Sequence, residues 1–168
     1  SPTIAACPAN LSVNTATGSC AATATWSEPT ALDNCAGVVL TSSHASGASF
    51  GLGTTTVTYT ATDAVGLSAT CTFTVTVVDA EAPTIAGCPA NLNIGNSAGF
   101  CSGIASWAPP SALDNCSGVT LVASHAPGAV FPLGTTLVSY TATDAAGNAT
   151  TCSFGVTVED VEPPTLLS

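Results

Sequence analysis

Eight cysteines and ten acidic residues carry nearly all the chemistry open to this chain of 168 residues, and no lysine or arginine stands beside them. The cysteines fall at Cys7, Cys20, Cys35 and Cys71, then again at Cys88, Cys101, Cys116 and Cys152. An even number at a repeated spacing reads as disulfides formed in an oxidising compartment. No two make a C-x-x-C pair, so a zinc site is the weaker reading. The acids repeat as well. Asp33, Asn34 and Asp63 return as Asp114, Asn115 and Asp144, while Asp79 and Glu81 return as Asp160 and Glu162. Hard oxygen ligands with no basic side chain to neutralise them suit Ca²⁺. The plainer alternative is that Asp63 and Asp144 cap turns and that Asp33-Asn34 folds onto its own backbone. His44 and His125 occupy equivalent places, but no nucleophile recurs at matched spacing, and general acid–base work needs such a partner. Both read as structural, and no enzyme is expected.

The charge excludes several classes of partner. At a formal −10 the chain offers no phosphate-binding surface, so nucleic acid is excluded, and an anionic membrane would repel it. No apolar run approaches the ~18 residues that a spanning helix requires. Without lysine the chain also cannot form Lys–Asn isopeptide crosslinks.

The elements that must position these residues are strands. Val57, Tyr59 and Ala61 alternate with threonines, Ala64 to Leu67 turn the chain, and Cys71, Phe73, Val75 and Val77 alternate again. Period 2 with one apolar face predicts a long β-hairpin. The stretch from Phe50 to Asp79 returns whole from Phe131 to Asp160. Displacing the chain by 81 positions aligns it on itself without a gap, with about 48 of 81 positions identical. Two units follow, 1–81 and 82–162, with a tail 163–168 that copies the start of a further unit. Within unit one the sequence predicts a strand broken near Pro8, a second from Cys20 to Trp26, a loop from Ser27 to Gly37, and a strand from Val38 to Ser43. About seven short strands and no helical period fit an all-β fold: two tandem immunoglobulin-like β-sandwiches. A unit of ~80 residues buries a modest core and needs reinforcement.

The motifs P-T-I-x-x-C-P-A-N, W-x-x-P-x-A-x-D-N-C, S-H-x-x-G-x-x-F-x-L-G-T-T-x-V-x-Y-T-A-T-D-A-x-G and C-x-F-x-V-x-V-x-D recur in both units. They resemble the hyalin repeat (HYR). The resemblance implies an immunoglobulin-like fold in extracellular or cell-surface proteins of adhesion and matrix assembly, without catalysis. Val65-Gly66-Leu67 departs from the family pattern, which Gly147-Asn148 keeps.

The sandwich reading orders the candidate sites. First and last strands of such a fold run side by side, which favours Cys7–Cys71 and leaves Cys20–Cys35, with Cys88–Cys152 and Cys101–Cys116 as copies. The alternative is Cys35–Cys71 with Cys7–Cys20. Asp79 and Glu81 run towards the Asp114, Asn115 and Asp144 loops, so a calcium-stiffened hinge is expected there. Asp160 and Glu162 would offer the same to the Asp33, Asn34 and Asp63 loops of another copy. The tail residues Pro163, Pro164, Thr165, Leu166 and Leu167 would then dock on that copy head to tail, unless further repeats simply follow. Asn10, Asn115 and Asn148 begin N-glycosylation sequons. The expected function is a structural or assembly module, a section of a surface stalk or a filament subunit. The alternatives are an adhesin that binds a glycan or surface protein through its loops, or an accessory domain of a secreted enzyme.

Overall fold

A computed structural model describes residues 1–164. The chain divides into two compact units, Ser1–Glu81 and a second beginning at Ala82, and among the described residues every regular element is a strand.

In unit one the strands are β1 Thr3–Ala5, β2 Leu11–Asn14, β3 Ala21–Thr23, β4 Thr30–Leu32, β5 Val39–Ser42, β6 Ser49–Gly51, β7 Gly53–Thr62 and β8 Ser68–Val78. The predicted hairpin is β7–β8, paired from Gly53↔Val77 to Thr62↔Ser68. Its period-2 pattern has the expected effect. Val57, Tyr59, Ala61, Cys71, Phe73, Val75 and Val77 are buried, while most of the alternating threonines face outward. β5 pairs antiparallel with β7, and β2 pairs parallel with β8, giving the order β2-β8-β7-β5. The parallel register Leu11↔Val75 places the first and last strands side by side.

The opposing layer is more broken than the sequence indicates. β3 pairs with β6 and β4 with β1, so residues 21–32 act as one irregular strand that serves two partners in turn. Thr30–Leu32 therefore lies in a strand, where a loop was expected. The reason is edge pairing: β1 supplies Thr3–Ala5 as a partner, and Thr3 Oγ1 donates to the Leu32 carbonyl at 3.3 Å. Trp26 falls between the two pairings and not at the end of a strand. Its Nε1 donates to Tyr59 Oη at 2.8 Å, and its ring meets Phe73 edge-on at 5.1 Å. A half-buried indole with its polar edge satisfied fills the gap left by the interrupted strand.

Unit two repeats the plan. Its strands are β9 Thr84–Ala86, β10 Leu92–Gly95, β11 Ser102–Ile104, β12 Ser111–Leu113, β13 Thr120–Ala123, β14 Val130–Pro132, β15 Gly134–Thr143 and β16 Ala149–Glu159. The sheets are β10-β16-β15-β13, β9-β12 and β11-β14. Trp107 Nε1 donates to Tyr140 Oη at 2.7 Å and the ring lies 5.1 Å from Phe154. Both units are immunoglobulin-like sandwiches.

Candidate functional site at the poles of each repeat

Because β2 and β8 run parallel, each unit has a leading pole, where β1 and β8 begin, and a trailing pole, where β2 and β8 end. The staple near the leading end forms as the strand order predicts. Cys7 bridges Cys71, and Cys88 bridges Cys152, with Cα separations of 5.9 and 6.1 Å.

The other two pairings are corrected. Cys35 and Cys101 are free, exposed thiols, so neither Cys20–Cys35 nor Cys101–Cys116 forms. The alternative, Cys35–Cys71 with Cys7–Cys20, fails too, since Cys71 is taken by Cys7. Position explains this. Cys20 follows the turn in which Thr15 N–H donates to the Val78 carbonyl and Ala16 N–H to the Ala21 carbonyl, which is the trailing pole. Cys35 follows β4, whose end Leu32 pairs with Thr3, and lines a cleft with Asp63 and Leu67, which is the leading pole. The intervening length of β8 is roughly 30 Å at ~3.3 Å per residue, whereas a disulfide needs Cα atoms within about 7 Å.

The acidic residues separate into two kinds of work. At the leading pole, Asp63 Oδ1 accepts the Val65 and Leu67 N–H groups at 3.0 and 2.9 Å, closing the β7–β8 turn. Asp144 does the same through Asn148, whose backbone N–H and Nδ2 both donate to its carboxylate at 2.8 Å. Burial alone would raise the Asp144 carboxyl, but the Asn148 side chain and the N–H groups of Asn148, Gly147 and Ala146 outweigh it and hold it below its ordinary value. Asp114 Oδ2 accepts the Cys116 N–H at 3.0 Å. Asp33 and Asp114 differ from these caps. Each keeps a buried Oδ1 that accepts no hydrogen bond, and the Asp33 side chain is only 3% exposed, 3.4 Å from the Ser1 ammonium. Asn34 lines the same cleft as Asp33 and Cys35, and Asn115 lies between Asp114 and Cys116.

At the trailing pole the acids accept hydrogen bonds within their own unit. Glu81 accepts the Gly18 N–H at 2.8 Å, and Asp79 Oδ1 accepts Thr15 Oγ1 and the Glu81 N–H at 3.3 and 3.1 Å. Glu162 likewise accepts the Gly99 N–H at 2.9 Å, and Asp160 Oδ1 the Glu162 N–H at 3.1 Å. Gly18 and Gly99 hold φ of 70° and 76°, which turns their N–H groups towards the acid. That G-turn partner was not found in the sequence, although each glycine lies 63 residues before its glutamate. Pro163 and Pro164 line a cleft with Phe100, Cys101, Asp160 and Glu162. Thr165, Leu166 and Leu167 lie outside the described residues.

The remaining candidates resolve simply. His44 and His125 share hydrogen bonds with Ser43 and Ser124 at 3.0 Å, and their rings lie tilted, 5.3 Å from those of Phe50 and Phe131. Asn10 Oδ1 accepts the Thr74 N–H at 2.9 Å, and Asn91 repeats this with Gly155 at 2.8 Å. Asn10 thus anchors β8, whether or not its exposed amide carries a glycan. Asn148 Nδ2, the atom a glycan would occupy, is engaged by Asp144.

The family profile of the HYR domain matches residues 1–77 and again 78–158. Over 167 residues the chain is 35% identical to hyalin of Strongylocentrotus purpuratus, covering 95% of this chain and 14% of that protein. Over 148 residues it is 38% identical to hyalin of Lytechinus variegatus, covering 84% and 28%. A 91-residue stretch is 37% identical to the rat sushi, von Willebrand factor type A, EGF and pentraxin domain-containing protein 1, covering 52% of this chain and 2% of that one. The chain thus spans a small part of each relative. Its family and its paired cysteines place it outside the cell or at the cell surface. The chain belongs to the HYR domain family and carries two such domains in series.

Proposed function

We propose that this chain is a non-catalytic structural module of an extracellular assembly, joined head to tail to further copies of itself. One observation carries the reading. The segment leaving each unit is bound back onto that unit in the same way, Glu81 on Gly18 and Glu162 on Gly99. The shared glycine-to-glutamate clasp supports the reading, since unit two then finishes as unit one does, ready to meet another leading pole. Binding a glycan through exposed aromatics is less well supported, since both tryptophans and both tyrosines pack into the cores.

Calcium belongs to the same proposal. The fit is best at the leading poles, where Asp33 and Asp114 each retain a buried oxygen without a hydrogen bond close to an Asn and a turn-capping Asp. A hard divalent cation would satisfy those oxygens and rigidify the loops that a preceding unit must meet. Light scattering and negative-stain electron microscopy of the purified chain, with calcium and with a chelator, test both parts. Filaments that dissolve on chelation are the expected result. A chain that stays monomeric at every concentration removes the assembly reading, and filaments indifferent to chelator remove calcium alone.

A further inference from the structure

We propose that successive copies are linked covalently, Cys101 of one copy to Cys35 of the next; this rests on the head-to-tail reading above and gives it a chemistry. The cysteines themselves point there. Cys20 and Cys116 are disulfide-bonded, whereas their equivalents in the other repeat, Cys101 and Cys35, are free and exposed. By the pole assignment, Cys101 stands at the trailing pole of unit two and Cys35 at the leading pole of unit one. In the head-to-tail reading, the trailing pole of unit two thus brings one thiol to the joint and the leading pole of unit one brings the other.

The surroundings of the two thiols differ from those of their oxidised counterparts, and they differ in a matched way. Beside Cys101 stands Phe100, 66% exposed, where the other repeat has Ser19. Both line a cleft of about 320 Å³ that Pro163 and Pro164 help to wall. Cys35 lines a cleft of about 230 Å³ with Val65 and Leu67, which are 82% and 52% exposed, where the other repeat has Ala146 and Asn148. The large exposed apolar side chains at these turns thus sit at the poles that carry free thiols, and the small or polar ones at the poles that do not. An exposed phenyl ring on one pole and an aliphatic pair on the other form a complementary contact that would hold two thiols together for reaction. In the cleft of Cys35, the Asp33 side chain is 3% exposed and its Oδ1 lies 3.4 Å from the Ser1 ammonium.

The chemistry balances with a small-molecule disulfide of the glutathione class as oxidant. One thiolate attacks it, forming a mixed disulfide and releasing one glutathione thiol. The second thiolate then attacks the protein sulfur of that mixed disulfide and releases the other. Two protein thiols become one disulfide, and one oxidised glutathione becomes two reduced.

The full chain, its intrachain bridges intact, is incubated with oxidised and reduced glutathione and run on non-reducing gels. A ladder of oligomers is expected, collapsing on reduction, with Cys101–Cys35 peptides found by mapping. Neither Cys35→Ser nor Cys101→Ser alone should give a ladder, but their mixture should give a mixed dimer, because each supplies the thiol that the other lacks. Phe100→Ser should slow the ladder several-fold. Symmetric Cys101–Cys101 dimers in Cys35→Ser at the yield of the mixed dimer, or a Cys35–Cys101 bridge closing within monomers, would overturn the proposal. Microscopy on the same samples separates the two readings. Head-to-tail filaments whose Cys35 and Cys101 remain reduced sink the covalent link and leave the assembly standing, whereas monomers without crosslinks sink both.

Discussion

Ala6 shows most directly what one side chain costs here. It holds φ of 59°, the only described non-glycine residue with positive φ, and its counterpart Gly87 holds φ of 75°. A Cβ in the left-handed region costs about 1 kcal/mol that glycine avoids. Ala6→Gly should therefore stabilise unit one by about 1 kcal/mol and raise its melting temperature by a few degrees, while Gly87→Ala should do the reverse in unit two. Thermal and urea melts of the two variants would read this directly, and no change in either removes the strain. Asp144 supplies a pH-dependent effect. Its carboxyl is held below the ordinary value of 3.8 by the Asn148 side chain and the turn N–H groups, against the opposing effect of burial. A depressed folded-state value contributes stability that is present above the unfolded value and is lost as pH falls through the folded one. The melting temperature of the parent chain should thus fall more steeply than that of Asp144→Asn between about pH 5 and pH 2. Parallel curves for the two proteins would contradict the assignment.

The strands of the two repeats show how a packing problem is solved twice. An added Cβ on Gly103 of β11 would lie 2.9 Å from the Gly95 carbonyl oxygen and 3.0 Å from Ile94 Cδ1. Unit one has Ala22 and Val13 at the equivalent places, so one methyl group has moved from one strand to the facing one. Gly103→Ala should destabilise unit two by about 1–3 kcal/mol, and adding Ile94→Val should recover part of that loss. A neutral single variant in urea melts would show that the site can relax. The same elements show what was legible in advance. Threonine alternation made β7 and β8 plain, because one face of each is fully buried and period 2 is then strongly written. The parallel neighbourhood of first and last strands followed, and with it Cys7–Cys71. The split strand 21–32 did not, because its three-residue pairings are set by β1 and β6, which are distant in sequence. The wrong partners for Cys20 and Cys35 came from the same gap, since nothing local says that residues 15 apart lie at opposite ends of a sheet. The acid caps at Asp63 and Asp144 were legible, whereas the glutamate-to-glycine clasp was not, because it joins residues 63 apart.

At the scale of the whole molecule, two small cores are each closed by one bridge spanning 64 residues. Restricting an unfolded loop of that length is worth about 4 kcal/mol on the chain-entropy account, against a total of roughly 5–10 kcal/mol for a unit of this size. Replacing Cys7 and Cys71 by serine should lower the stability of unit one by about 2–4 kcal/mol and leave unit two with its own bridge. Calorimetry should then resolve two transitions in place of one, and a single unshifted transition would show that the bridge is dispensable. The bridge also decides how the protein answers a pull. Tension entering at the start of unit one reaches Cys7, crosses the sulfurs and continues from Cys71, so this bridge carries the load past the loop between them. An unbridged unit of this length could be drawn out to about 280 Å, whereas the segments outside the bridge add up to about 60 Å. What remains to give way is β8, held in shear between β2 and β7. Each repeat is thus a nearly inextensible link, whose contour length is fixed by two sulfur atoms near its leading end.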